Sequence, residues 1–149
     1  MIDNAIIIAA GASSRFAPLS YERHKAMTEI KGEILIERLL GQLNSAGIKE
    51  IYIVTGYKAQ QFDYLTDKFG VRLISNPAYQ VRNNNSSIWA ARDILSNSLV
   101  IASDLYFASN PFTVDADESW FAQNCDLVFS EGDICLYRKR GVHWKSTQN

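Results

Sequence analysis

The chain alternates between two hydrophobic rhythms. Ile6, Ile7, Ile8 and Ala9 form an unbroken apolar run, as expected for a parallel strand covered on both faces, and the run gives way to glycine and serine at Gly11. Gly32 opens a segment in which Ile36, Leu39, Leu40 and Leu43 recur at helical spacing, with Gly47 following as a left-handed cap. This predicts an amphipathic helix packed on a sheet. Glu50-Ile51-Tyr52-Ile53-Val54-Thr55 is β-branched and apolar and predicts a second strand, stopping at Gly56. Phe62, Leu65 and Phe69 predict a short helix closed by Gly70, and Val71-Arg72-Leu73-Ile74 a third strand ending at Asn76-Pro77. Ser86 or Ser87 can cap a helix that carries Ile88, Ala91 and Leu95 inward, after which Leu99-Val100-Ile101-Ala102 predicts a fourth strand running into Ser103-Asp104.

This βαβαβαβ alternation predicts an α/β fold: a Rossmann-like open, mostly parallel sheet with right-handed crossovers and helices on both faces. Ligands of such sheets collect beyond the carboxyl ends of the strands. Residues 9–25, Thr55-Gly56-Tyr57 and Ser103-Asp104 all fall there. Asn83-Asn84-Asn85-Ser86-Ser87 falls at a helix N-terminus, where orphan N–H groups converge. Segments scattered along the chain are thus expected to face one crevice.

The first of these segments carries the most chemistry. Ala9, Ala10, Gly11, Ala12, Ser13 and Ser14 form a small-residue loop whose backbone amides can point at phosphate oxygens. Arg15, as a planar fork, and Lys25, as a mobile point charge, could supply the charge that a pyrophosphate leaving group needs. The loop has neither the spacing of a P-loop nor the Gly-x-Gly-x-x-Gly of a dinucleotide fold. Asp104 is well placed to hold Mg²⁺, which prefers oxygen ligands, or else simply caps a loop. The Asn run can read a base edge or a ribose hydroxyl, or form a loop before a Ser-capped helix. Tyr57 could wall the pocket or cover the sheet edge. Tyr79, Trp89, Tyr106, Phe107 and Trp120 could cage a quaternary ammonium or pack in the core and its rim.

Composition narrows the partners. The net charge of -1 over 149 residues provides no basic field for nucleic acid or for an anionic membrane surface. The length predicts one small domain. The two cysteines, Cys125 and Cys135, lack the paired spacing of a zinc site and are expected to be free buried thiols. The start of the chain has no basic region, and its apolar run is too short for a signal peptide or a membrane span; the expectation is a cytoplasmic protein without membrane insertion.

Ala10-Gly11-Ala12-Ser13-Ser14-Arg15, with Pro18-Leu19-Ser20 and Lys25, resembles the signature of the nucleotidyltransferases that join a nucleoside triphosphate to a sugar phosphate or phosphocholine. Sugar-phosphate members usually carry Pro before the lysine; His24 stands closer to the CTP:phosphocholine cytidylyltransferase branch. The resemblance implies a fold of the nucleotide-diphospho-sugar transferase type, shortened at its C-terminus. It implies that residues 9–14 cradle CTP, that Arg15 and Lys25 are the catalytic cations, and that Asp104 is a ligand of Mg²⁺. Asn83, Asn84 and Ser87 match the family's Asn-Asn-x-x-Ser element, which lies near nucleotide and acceptor. The acceptor, phosphocholine in this branch, would attack the α-phosphorus in line, a reaction that needs positioning and charge more than a protein nucleophile. Alternatives are a sugar-1-phosphate nucleotidyltransferase using UTP or dTTP, and a catalytically incomplete nucleotide-binding fragment or sensor.

The likeness covers residues 1–112 as a nucleotide-binding core, and residues 113–149 diverge. There Leu127-Val128-Phe129 and Ile134-Cys135-Leu136-Tyr137 could pair as a hairpin around Glu131-Gly132-Asp133, before a basic tail from Arg138 to Lys145. The family's second metal-ligating acid has no evident counterpart, Asp126 and Asp133 lacking a motif. The expectation is a chain shortened relative to full-length relatives, or else a small variant that binds nucleotide without transfer. A shortened sheet would expose an edge and pair with another copy.

Overall fold

A computed structural model describes residues 2–11, 23–77, 87, 89–103, 106–110, 112 and 134–137. A five-stranded sheet runs through them. Its strands are β1 (Asn4–Ala9), β4 (Ile51–Thr55), β5 (Arg72–Ser75), β6 (Ser98–Ala102) and β7 (Ile134–Tyr137), in the order β5-β4-β1-β6-β7. The first four of these pair in parallel, and β7 returns antiparallel along β6. The α/β, mostly parallel reading is therefore right. Ile134–Tyr137 lies along β6, Ser98 facing Tyr137 and Ile101 facing Ile134, while residues 127–129, its expected hairpin partner, lie outside the described residues.

Successive side chains point to opposite faces, and each face is covered. Ala5, Ile7, Ile53, Leu99 and Ile101 face the larger core, which is completed by α1 (Leu35–Ser45), α2 (Tyr64–Phe69), Phe62 and Phe107. Ile6, Val54 and Val100 face a thinner layer formed by Ala91 with the partly buried Ala90, Ile94 and Leu95. The helical spacing of α1 puts Ile36, Leu39, Leu40 and Leu43 into the first core, each at most 1% exposed. The helix closes as expected at Gly47, whose φ of 91° lets its N–H reach the Asn44 carbonyl while Ile48 N–H reaches Leu43.

Gly32 does not open that helix. It forms, with Lys31, the two-residue turn of a small hairpin between β2 (Glu29–Ile30) and β3 (Glu33–Ile34). Both turn residues have positive φ, 52° and 81°, as a type I′ turn requires. The predicted helix around Ala91 ends earlier than its apolar spacing suggests. Ser87, Trp89 and Ala90 are helical, and a 3-10 turn, Arg92–Ile94, then leads into β6. Ile88 lies outside the described residues.

Candidate nucleotide site

The carboxyl ends of four strands are knitted into one surface. The sheet register aligns Ala9 with Thr55 and Thr55 with Ser75. Just beyond the strands, the Tyr57 N–H donates to the Ala10 carbonyl at 3.1 Å, Ser103 N–H to Ile8 at 3.1 Å, and Asn76 N–H to Thr55 at 2.8 Å. Asn76 then reaches sideways, its Nδ2 donating to Ser87 Oγ at 3.0 Å in a buried contact. The loops after β1, β4, β5 and β6 are thereby held together, and Ser87 is fixed to them.

Lys25 joins this surface through its neighbour. It begins a 3-10 turn, Lys25–Met27, whose Ala26 and Met27 are buried in the larger core. His24 caps the turn, its Nδ1 accepting from the Ala26 N–H at 3.0 Å. The His24 backbone N–H donates to Gln61 Oε1 at 2.8 Å, and its ring packs edge-on against Phe62 at 5.0 Å and lies 6.3 Å from Tyr57. His24 is completely buried. His24 thus packs locally and fixes the backbone at the start of the turn that Lys25 begins.

The chain beyond Asp104 is held with equal care. Arg38 of α1 donates through Nε and Nη2 to the Phe107 carbonyl at 3.1 and 3.0 Å, and through Nη2 to Ala108 at 2.9 Å. Gln42 adds a donor to Phe107 at 3.2 Å, and the Phe107 ring meets Phe112 edge-on at 5.3 Å. Ser103, immediately before Asp104, is 1% exposed, and its hydroxyl has no hydrogen-bond partner among the described residues. A buried hydroxyl without a partner costs about 1–3 kcal/mol of desolvation.

Of the residues singled out from the sequence, Ala9, Ala10, Gly11, Lys25 and Ser87 are described, and the contacts above tie all but Gly11 to the same end of the sheet. Gly11 directly follows Ala10. A Cβ built on Gly11 meets nothing within 4 Å, so packing among the described residues does not demand glycine there. Arg15, Ala12, Ser13, Ser14, Asn83, Asn84 and Asp104 lie outside the described residues, as do Tyr79, Trp120, Cys125, Asp126, Asp133 and the basic tail. The aromatic candidates separate. Phe107 is core. Tyr106 is buried with the Arg38 guanidinium 5.0 Å from its ring centre. Trp89 is 66% exposed and carries Arg92 at 4.6 Å. Among the described residues no three His, Cys, Asp or Glu gather to hold a metal ion. No described helix is long and apolar enough to cross a membrane.

Sequence reasoning missed Asn76, Gln61 and Arg38. Asn76 was visible only as part of a turn before Pro77. A groove of about 790 Å³ borders α1; Arg38 and Gln42 line it, but none of the residues at the carboxyl ends of the four parallel strands does. Its Glu33 pairs with Arg38, and its Glu37 with Lys68 and Tyr64. Burial, together with the hydrogen bond to Glu37, pushes the Tyr64 phenol up to about 12.

Comparison with known proteins agrees with the fold. The chain is 39% identical over 117 residues to the choline-phosphate cytidylyltransferase of Streptococcus pneumoniae, covering 78% of this chain and 51% of that protein. It is 38% identical over 117 residues to the 2-aminoethylphosphonate cytidylyltransferase of Lancefieldella rimae, covering 72% and 48%. The solved structure of CTP:phosphocholine cytidylyltransferase from Streptococcus pneumoniae (LicC) superposes with a TM-score of 0.75 over 78% of this chain and 51% of that one, at 39% identity. The chain thus spans about half the length of the curated relatives it matches. With residues 5–137 also matching the MobA-like NTP transferase domain, the chain belongs to that family of nucleotidyltransferases.

Proposed function

We propose that this chain forms the nucleotide-binding part of a cytidylyltransferase that transfers CMP from CTP to a phosphorylated small acceptor, phosphocholine being favoured. An acceptor phosphate oxygen attacks the α-phosphorus, the bond to the β-phosphate oxygen breaks, and pyrophosphate leaves. In this reading the amides of residues 9–14 and the cations of Arg15 and Lys25 take up the charge on the triphosphate and the departing pyrophosphate. Asn83, Asn84 and Ser87 border the nucleoside and acceptor. The observation that carries the reading is the hydrogen-bonded closure of the four strand ends, which puts Ala10, the Lys25 turn, Ser87 and Ser103 on one surface.

Asp104 would hold Mg²⁺, which binds through one or two carboxylates together with substrate phosphates. The unpartnered Ser103 hydroxyl beside it in the chain suits an ion that takes oxygen ligands. When bound, the ion would neutralise phosphate charge. The cytidylyltransferase names of the relatives favour CTP over UTP or dTTP, and choline-phosphate and 2-aminoethylphosphonate cytidylyltransferases both stand among them.

Pyrophosphate release with CTP, UTP, dTTP and GTP, each offered with phosphocholine, 2-aminoethylphosphonate or a hexose 1-phosphate, tests this. Turnover restricted to CTP with phosphocholine is expected. Turnover with a hexose 1-phosphate and UTP or dTTP overturns the acceptor and base, and nucleotide binding without turnover for every pair overturns the transferase reading. Lys25→Ala should lower turnover by about 10²–10³-fold, the usual size for losing one group that meets developing charge. Unchanged turnover removes Lys25 from the mechanism.

A further inference from the structure

The described residues on either side of positions 12–22 meet one short segment, residues 57–62. At the outgoing end the Tyr57 N–H donates to the Ala10 carbonyl at 3.1 Å. At the returning end Gln61 Oε1 accepts from the His24 N–H at 2.8 Å, while Phe62 packs against the His24 ring. The segment is itself stiff. It turns at Lys58, a non-glycine residue held at φ 51°, and the Gln61 N–H donates back to the Lys58 carbonyl at 3.0 Å. A left-handed residue of this kind costs about 1–3 kcal/mol and persists only where its surroundings fix it, and such residues cluster at functional sites.

The same segment therefore sets the separation between the amides that open the phosphate loop and the lysine that follows it. Resting on the reading of Lys25 as a triphosphate-binding cation, we propose that Gln61 is a positioning residue for Lys25, acting through the backbone of His24. Gln61 grips the N–H of the residue before Lys25, and His24 Nδ1 grips the N–H of the residue after it. Lys25 thus starts its turn from a backbone clamped on both sides. His24 sits at φ -61° and ψ 143°, a conformation open to proline, which would retain the bend and remove the N–H that Gln61 holds.

The test is a double-mutant cycle read as CTP affinity by calorimetry, with the melting temperature followed alongside. Gln61→Met keeps the length of the side chain and removes the acceptor. It should weaken CTP about tenfold, less than the roughly 10²-fold that a misplacement of about 1 Å can cost. In a Lys25→Ala background the same change should weaken CTP by less than about twofold, since residues acting as a unit are non-additive. His24→Pro removes the same N–H together with the Nδ1 cap and the packing of the ring, so it should weaken CTP at least as much as Gln61→Met; it serves also if Gln61→Met does not fold, and undiminished CTP affinity in it overturns the proposal. Equal weakening by Gln61→Met with and without Lys25 marks a merely structural side chain and overturns the proposal. Unchanged CTP affinity in Gln61→Met overturns it while leaving Lys25 in place. Lys25→Ala with undiminished CTP affinity overturns the reading of Lys25 and the proposal with it.

Discussion

At the amino end of the sheet, buried polar side chains close on one another, whereas at the carboxyl end a buried hydroxyl is left without a partner. Asn4, 4% exposed, donates to the Ile94 carbonyl at 2.9 Å and accepts from the Ser98 hydroxyl, which in turn accepts from Ser96 N–H at 3.0 Å. Asp3 finishes the knot by accepting from the Ser96 hydroxyl and the Asn97 N–H. At the other end Asn76 and Ser87 satisfy each other, but Ser103 Oγ does not find a partner among the described residues. The residue types are the same, Asn and Ser at strand ends. What differs is closure: a self-satisfied network rigidifies the fold, and an open one retains capacity for a ligand.

The sharpest way to break this comparison is to cut into the closed end. Asn4→Ala leaves both the Ile94 carbonyl and the Ser98 hydroxyl buried without their partner and should cost about 1–3 kcal/mol of stability. Urea unfolding checks it, with CTP affinity measured on the folded variant. The expected result is a lowered midpoint and unchanged affinity. A large loss of CTP affinity in the folded variant would mean that the two ends are coupled through β1 and that the division is false.

Much of this contrast was hidden in the sequence, for a physical reason. Periodicity reports which face of one element is apolar, so the helix carrying Ile36, Leu39, Leu40 and Leu43 and the four parallel strands were legible. Contacts between elements depend on register, which is set by the whole sheet. Asn4 meets Ser98 from 94 residues away, and Asn76 meets Ser87 from the next connection. Gln61 carried no signal, because its partner is a backbone N–H contributed by His24. The hairpin at residues 29–34 did leave a trace: two Glu-Ile pairs flank Lys31-Gly32, and a glycine at the second turn position is what a type I′ turn favours. Its strands are two residues each, too short for alternation to register. The cap of His24 on Ala26 likewise required the turn to be seen.

A smaller effect of opposite sign is expected at the open end. Ser103→Ala removes a buried hydroxyl that has no partner, so the ligand-free protein should lose no stability and can gain up to about 1 kcal/mol. If that hydroxyl is retained for the ligand site beside Asp104, affinity for CTP with Mg²⁺ should fall about two- to tenfold, the size of one hydrogen bond. Melting temperatures with and without CTP and Mg²⁺ separate the two effects. A variant destabilised without ligand would show that the hydroxyl is structural after all.

The smallest expected effect tests the closed end by pH. The hydrogen bond from Ser96, then that from Asn97 N–H, holds the Asp3 carboxyl below its ordinary value of 3.8. The folded state thus favours the ionised form. Its contribution is complete above that value and is lost as pH falls through the lowered folded-state value. Asp3 is fully exposed, so solvent screens the contribution and the change should be slight. Urea midpoints followed from neutral pH to below 3.8 should decline less steeply in Asp3→Asn than in the unaltered protein. The variant should also start lower at neutral pH, because an amide accepts more weakly than a carboxylate. Identical acid slopes for the two proteins would show that Asp3 stands outside the network, leaving Asn4 and Ser98 to close the amino end by themselves.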